Sequence, residues 1–494
     1  MVTRIYHLPA LYAALGAAVA FYSYPFFPGL PGWLLLLLLL PFIIAICLFR
    51  VLSLNKLSVF VSAAALGVSI GLAAGAMAPR AASLGLPSES INAVSGMLIE
   101  DPRQFNDDRG MGILALEASS AGDGLRASAS GSITVFFPAD VIPRLKEFGR
   151  GCGIYTEGKL IQSDRGLLFR ASAVHIVKPA SRLEQFRTGL RTGLLTKFSP
   201  KIDSENPASA PVWSSLAMAL LLGVRDNLDS SLSKGFAYAG CSHVLSLSGM
   251  HLALLSGLVA FFLRRILGLK PAMIVGAVFI LFYVWLAGGQ ASLVRSAIMY
   301  FLGAACVWGF LKRDALNLLC LAFIIQLLFQ SGAGSSVSFI LSYLSLAGIL
   351  TLGETLHECF KGSIPEIIGA GLSASIGAFI ATSAVVSLFF GELRPVGIIA
   401  GLIIVPLSSL FMIMALGILI IVNIIPLLFS PLNAVLTLVY RLIEYAVAYA
   451  GKVPGLAAPN PWPVLALSII MAGLIYFVQY KASAYRSAIA PFKN

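Results

Sequence analysis

Long apolar runs separated by short polar loops dominate this chain, and one region breaks that rhythm. A run of about 20 apolar residues can cross a bilayer as a helix, and by that rule roughly twelve stretches span it wholly or partly. Three come first, at residues 8–27, 30–49 and 57–77. Residues 80–180 then change to short alternation of apolar and polar positions, the period of a half-buried strand. The stretches 92–100, 112–118, 131–137, 154–161 and 167–177 read as strands, and 139–148 as a short helix. So many short strands in one compact stretch predict a small β-barrel of the OB-like kind. Apolar helices resume at 212–223, which is short, and continue at 241–263, 272–288, 290–311, 315–331, 335–353, 367–390, 395–424, 431–451 and 462–480.

The fold class expected is therefore an all-α polytopic membrane protein with an inserted OB-like barrel. Its parts are a three-helix block at 1–79, the β domain at 80–180, interfacial elements at 181–240 and a helical core at 241–494. Within the third part, residues 181–198 place Leu183, Phe186, Leu190 and Leu194 on one stripe and Arg187, Arg191 and Lys197 on other faces. That pattern suits a helix lying in the membrane interface. Small residues recur at Gly67, Gly71 and Gly75, and again at Gly369, Ser373 and Gly377. Such ridges let helix backbones approach closely, with packing inside one chain favoured over a dimer face. Pro406 predicts a kink in its helix.

Composition agrees with the pattern. Of 494 residues 58% are hydrophobic and 11% charged, whereas soluble domains carry about 25% charged residues. A net charge of +12 invites a nucleic-acid reading, but its distribution argues otherwise. Residues 80–180 hold 11 basic and 11 acidic side chains, while 241–494 hold 13 and 6. The excess sits in alternate short loops, as the positive-inside rule requires. That rule puts both termini in the cytosol and residues 80–180 on the outer face of the cytoplasmic membrane, with Arg394 and Lys452 as single exceptions. Six cysteines show no C-x-x-C spacing. A Cys152–Cys241 bridge is conceivable in an oxidising compartment, and unpaired thiols are the stronger expectation.

Polar residues inside apolar helices are the places to look for function. His243 and His251 lie eight apart; on one unbroken helix they would stand about 12 Å apart and about 80° around the axis, too far to share a metal. Gly249 between them permits a break without demanding one. Ser248 and His251 are spaced to hydrogen-bond, yet no acidic residue is near to complete a nucleophilic triad. Arg295 sits just inside a span, either snorkelling to the interface or lining an anion path. Arg441 and Glu444 are spaced to pair. Phe136, Phe137, Tyr155 and Phe169 of the β domain could stack bases, with core filling the favoured reading for most. The run from Gly153 to Leu160 imitates a phosphate loop but lacks its final Ser or Thr and lies in a strand pattern. No metal or cofactor site is expected, nor an enzyme.

The segment from Gly223 through Arg225 to Ser242-His243-Val-Leu-Ser-Leu-Ser248-Gly249-Met-His251 resembles the ComEC family of competence proteins. Family members carry Leu-Leu-Leu-Gly-x-Arg followed by Ser-His-Leu-Leu-x-x-Ser-Gly-Leu-His. Later segments agree in order: Ser292-Leu-Val-Arg295-Ser-Ala-Ile-Met299, Asp314-Ala-Leu-Asn317, and Ser387 to Gly391 through Pro406. The β domain is similar to the OB-like domain found there. The resemblance implies a channel component that translocates single-stranded DNA into the cytosol during natural transformation. Its motif positions are Arg225, His243, Ser248, Gly249, His251, Arg295, Asp314 and Asn317.

The sequence also departs from the family. Many members end in a metallo-β-lactamase-like domain, which this sequence lacks. Gly401 replaces a common Asn, and residues 330–336 replace a loop with Asp-Pro. The partners implied are single-stranded DNA, a separate nuclease, a cytosolic helicase-type motor, an outer DNA-binding protein and further copies of the chain. The alternative expectation is an envelope lipid or glycan exporter, or a membrane scaffold, on the same helical core.

Overall fold

The computed structural model describes residues 9–24, 56–78, 82–106, 108–122, 124–163, 166–198, 211–226, 228–247 and 249–489. The expected span at 30–49 and Ser248 lie outside the described residues.

Helices α1 (Pro9–Ser23) and α2 (Lys56–Met77) pack backbone to backbone. A Cβ added to Gly67 would lie 1.9 Å from the Ala13 carbonyl oxygen, and one on Gly71 2.2 Å from that of Ala17. The first small-residue ridge is thus a packing surface within the chain, where only glycine permits such approach.

A mixed sheet follows. Its strands are β1 (Ile91–Leu98), β2 (Arg103–Asn106), β3 (Arg109–Ala121), β4 (Arg126–Ser128), β5 (Ser132–Pro138), β6 (Gly153–Ser163) and β7 (Gly166–Lys178), with α3 (Ile142–Phe148) between β5 and β6. β1 pairs antiparallel with both β3 and β6, β6 with β7, and β3 with β5, while β5 and β7 run parallel. The chain of pairings therefore returns to its first strand, with β2 and β4 added to β3. Period-two alternation drives this: Ile133, Val135 and Phe137 of β5 point into the core and their neighbours outward. The phosphate-loop imitation lies in β6 and has no strand-to-helix turn.

Helix α4 (Arg182–Phe198) is amphipathic with an unexpected orientation. Leu183 and Phe186 are 63% and 61% exposed, whereas Arg187 is fully buried. The arginine face turns toward the protein because carboxylates wait there, and the outer apolar positions are left for lipid.

The core comprises α5 (Ser214–Leu222), α6 (Ser230–Tyr238), α7 (Ser242–Leu245), α8 (Gly249–Leu267), α9 (Leu269–Ala287), α10 (Ala291–Trp308), α11 (Ala315–Phe329), α12 (Val337–Phe360), α13 (Glu366–Phe390), α14 (Val396–Ile424), α15 (Phe429–Ala450) and α16 (Pro461–Ile489). Among the described residues eight helices, α8–α10 and α12–α16, are long and apolar enough to cross a membrane; α1, part of α2, and α11 are shorter apolar helices. This is a membrane protein built mostly of helix, and among the described residues the expected wholly or partly spanning stretches divide into eight long helices and three shorter ones. The expected short span at 212–223 is α5, nine residues long and buried almost throughout. At 1.5 Å per residue it covers about 14 Å, so it plugs the core and crosses nothing.

The second small-residue ridge also packs internally: a Cβ on Gly377 would meet the Gly348 carbonyl oxygen at 2.6 Å. That contact faces a π-helical stretch, Ile349–Gly353, within α12. A two-stranded antiparallel sheet, β8 (Glu392–Leu393) with β9 (Leu456–Ala457), joins the loops after α13 and α15.

Candidate functional site

The expected span at 241–263 is not one helix. The backbone leaves helical geometry after α7, where Ser246 is extended (φ −82°, ψ 136°), and α8 begins at Gly249. A break in a membrane helix frees carbonyl oxygens that must find other donors. Here distant side chains supply them. The Arg225 Nε donates to the Leu245 carbonyl at 3.1 Å, and the Ser292 hydroxyl donates to the Leu247 carbonyl at 2.5 Å. Ser246 folds its hydroxyl back to the His243 carbonyl at 2.9 Å.

Three separated motif segments meet at this break. Gly223 closes α5 in the left-handed conformation (φ +70°), and a Cβ there would meet Leu247 at 2.8 Å and the Gln290 amide nitrogen at 3.1 Å. Glycine is required both by the turn and by the approach. A Cβ on Gly249 would lie 2.1 Å from the Ser296 hydroxyl and 3.1 Å from a terminal nitrogen of Arg295. Gly249 therefore lets the start of α8 lie against the first turn of α10.

Arg295 is 8% exposed. Its guanidinium donates to the Ser342 carbonyl and lies 5.7 Å from the centroid of the Tyr343 ring. Tyr343 donates to the Gln326 side-chain oxygen at 2.8 Å, and Gln326, fully buried, donates to the Ala291 carbonyl at 2.9 Å and to Gln330 at 3.1 Å. Among the described residues no carboxylate lies within ion-pair distance of Arg295. Arg295 is thus a buried cation held by a carbonyl and a ring, and it does not snorkel outward.

The two histidines differ in burial. His243, before the break, is exposed; His251, one turn into α8, is fully buried. The backbone between them does not keep one helical phase, so the spacing expected for one unbroken helix does not apply. Arg225 is exposed beyond its bond to Leu245. Asp314 and Asn317 stand apart from the cluster, at the other end of α10 and α11. Asp314 caps α11 by accepting the Asn317 backbone N–H at 3.0 Å, so this pair has a helix-starting role.

Sequence reasoning missed Gln326, Ser342 and Tyr343. A lone glutamine inside the apolar run of α11 was the signal that could have found the first.

The sheet meets the core at the same end of the helices. Asp101 accepts from Arg187 and Arg191, Glu184 from Arg187 and from Arg150 at 2.8 Å. The arginines also donate to helix-end carbonyls: Arg150 to Gly288 at 3.0 Å, Arg187 to Leu286 at 3.4 Å and Arg191 to Leu222 at 3.3 Å. Burial alone would raise the Asp101 and Glu184 carboxyls. The guanidinium hydrogen bonds and charges outweigh it and hold both below the usual range. Asp226 binds Lys146 at 2.8 Å and the Gln104 backbone N–H at 2.9 Å, adding a second tie.

In the sheet, Phe137 and Phe169 are fully buried and fill the core, while Phe136 and Tyr155 are half-buried. Cys152 and Cys241 are buried free thiols, so no bridge joins them. Arg441 and Glu444 pair at 2.6 Å as their spacing predicts.

Residues 220–483 match the model of the competence protein family. The chain is similar to ComE operon protein 3 of Bacillus subtilis, 27% identical over 185 residues, 36% of this chain and 23% of that protein. It is also similar to an uncharacterized protein of Aquifex aeolicus, 27% identical over 205 residues, 41% of this chain and 46% of that protein. The matches thus span less than half the length of either relative. No solved structure matches the chain.

Proposed function

The chain belongs to the competence protein family, and from that premise we propose that it is a multi-pass, non-enzymatic component of a channel carrying single-stranded DNA into the cytosol. The observation that carries the reading is Arg295, a cation buried among membrane helices with no carboxylate beside it. An uncompensated charge in such surroundings costs several kcal/mol. A passing phosphate supplies the missing counter-charge. The break beside it supports the same reading, because discontinuous helices at membrane depth belong where backbone lines a path or a binding site.

The β domain reads as an OB-like barrel on the outer face. The closed circuit of pairings, the parallel β5–β7 pair and α3 between β5 and β6 support this. Register aligns Arg103, Met111, Phe136, Arg170 and Lys159 in one row across five strands. The row lies on the face opposite Val135 and Phe169 of the core. Cations flanking a half-buried aromatic suit a strand whose bases stack and whose phosphates need partners. The domain as a whole is neutral, so its grip is local and salt-sensitive. A separate nuclease, a cytosolic motor and an outer DNA-binding protein complete the pathway in this reading.

The test is uptake of fluorescent DNA into the cytosol by a deletion strain carrying wild type, His243→Ala or Arg295→Gln at equal membrane levels. The reading expects uptake to fail with Arg295→Gln. Normal uptake in the deletion strain, with an envelope defect instead, favours an exporter of lipid or glycan.

A further inference from the structure

The two cations that violate the positive-inside pattern, Arg394 and Lys452, come together in the fold. Lys452 borders a shallow cavity of about 340 Å³ between α6 and the end of α15, and Arg394 lies behind it against Tyr238. Ser231, Lys234 and Tyr238 form one wall, and Val447, Ala448 and Lys452 the other. Glycines bring the two helices together: a Cβ on Gly235 would meet Val447 at 2.7 Å, and one on Gly451 would meet Tyr238 at 3.3 Å.

Arg394 is already neutralised. It pairs with Glu392 at 2.6 Å, donates to the Val453 carbonyl at 3.2 Å and lies 4.9 Å from the Tyr238 ring centroid, holding that ring at the cavity edge. Lys234 and Lys452 are exposed, and among the described residues no carboxylate lies within ion-pair distance of either. The nearby Asp229 is committed to capping α6, accepting from the Ser231 N–H and hydroxyl, each at 2.9 Å.

We propose that this cavity binds the phosphate-bearing headgroup of an anionic phospholipid, Lys234 and Lys452 closing on the phosphate from opposite walls. Depth supports a lipid over a free anion. Tyr238, Tyr445, Tyr449 and Trp462 are 49%, 73%, 78% and 73% exposed around this end of the helices. Exposed tyrosine and tryptophan mark the headgroup level of a membrane protein. From Tyr449 and Tyr445 an exposed stripe continues along α15 through Leu442, Leu438 and Val435, at spacings of three and four. An acyl chain can follow that stripe away from the cavity. The site also gives a reason for Lys452, a cation on the side that the charge rule leaves poor in them.

The test is native mass spectrometry of the purified full chain in detergent, titrated with phosphatidylglycerol or phosphatidylcholine. Wild type retains phosphatidylglycerol in preference. The K234Q/K452Q variant binds it about thirtyfold more weakly, as roughly 1 kcal/mol per lysine implies, and loses the preference. The K234R/K452R variant keeps the charge and retains binding, which separates recognition from misfolding. Equal phosphatidylglycerol binding by wild type and the glutamine variant overturns the proposal. So does full displacement of the lipid by inorganic phosphate, which marks a free-anion site. Lysine-dependent binding of a single-stranded oligonucleotide without lipid dependence overturns it in favour of nucleic acid. The readout needs no DNA transport, so it stands or falls separately from the uptake reading.

Discussion

Two buried arginines at the same end of the helices live in opposite surroundings. Arg187, at the junction of sheet and core, is enclosed by Asp101 and Glu184 and by the Leu286 carbonyl. Arg295, beside the helix break, has the Ser342 carbonyl and the face of Tyr343 and, among the described residues, no acid. A guanidinium whose neighbours already cancel its charge has a structural task. One whose charge is left over among membrane helices is, in the proposed reading, free to meet an anion that comes and goes. The lesson is that burial of a charge says little until its partners are counted.

The largest effect separating the two belongs to the junction. Asp101→Ala leaves Arg191 with no carboxylate and Arg187 with Glu184 alone, and breaking a buried pair in this way costs up to about 3–5 kcal/mol. A markedly lower melting temperature of the purified chain is expected. Arg295→Met should do the reverse in both respects. Removing an uncompensated buried charge is neutral or stabilising, so melting should not fall. Uptake, however, should drop at least about thirtyfold, the loss typical of truncating one side of a buried charge contact. A melting loss as deep as that of Asp101→Ala would erase the contrast.

Gly249→Ala probes the packing beneath Arg295. Its Cβ would collide with the Ser296 hydroxyl at 2.1 Å, and about 1–3 kcal/mol of overpacking is expected in thermal melts. Acid titration acts more gradually and on the junction alone. The Asp101 and Glu184 carboxyls are depressed in the folded chain, so the unfolded chain binds protons first as the pH falls. Their contribution is complete at neutral pH, declines as pH drops through the ordinary carboxylate range near about 4, and is gone below their folded values. Asp101→Asn should flatten that dependence of melting on pH; an unchanged slope would remove the junction from the account. Last, Arg441→Ala breaks an exposed pair within one helix and should leave melting unchanged.

What the sequence made legible follows from how local each signal is. The strands of the sheet could be read because alternation such as that of residues 131–137 is decided by adjacent positions. The long helices could be read because hydropathy sums over neighbours. The break after α7 could not, since its stability depends on Arg225 and Ser292, which lie far along the chain from it. The burial of the arginine face of α4 was not legible for the same reason: Asp101, which satisfies it, is 86 positions from Arg187. The motif residues carried less information than their number suggests. Gly223, Gly249 and Arg295 converge, whereas Asp314 and Asn317 satisfy a helix end elsewhere.

The arginine junction has a mechanical consequence. Arg191 grips the carbonyl of Leu222, the residue just before Gly223, and Gly223 rests against Leu247 inside the break. A displacement of the sheet is handed through one side chain and one turn to the interrupted stretch of the helical core. The sheet and the break therefore behave as the handle and latch of a single linkage.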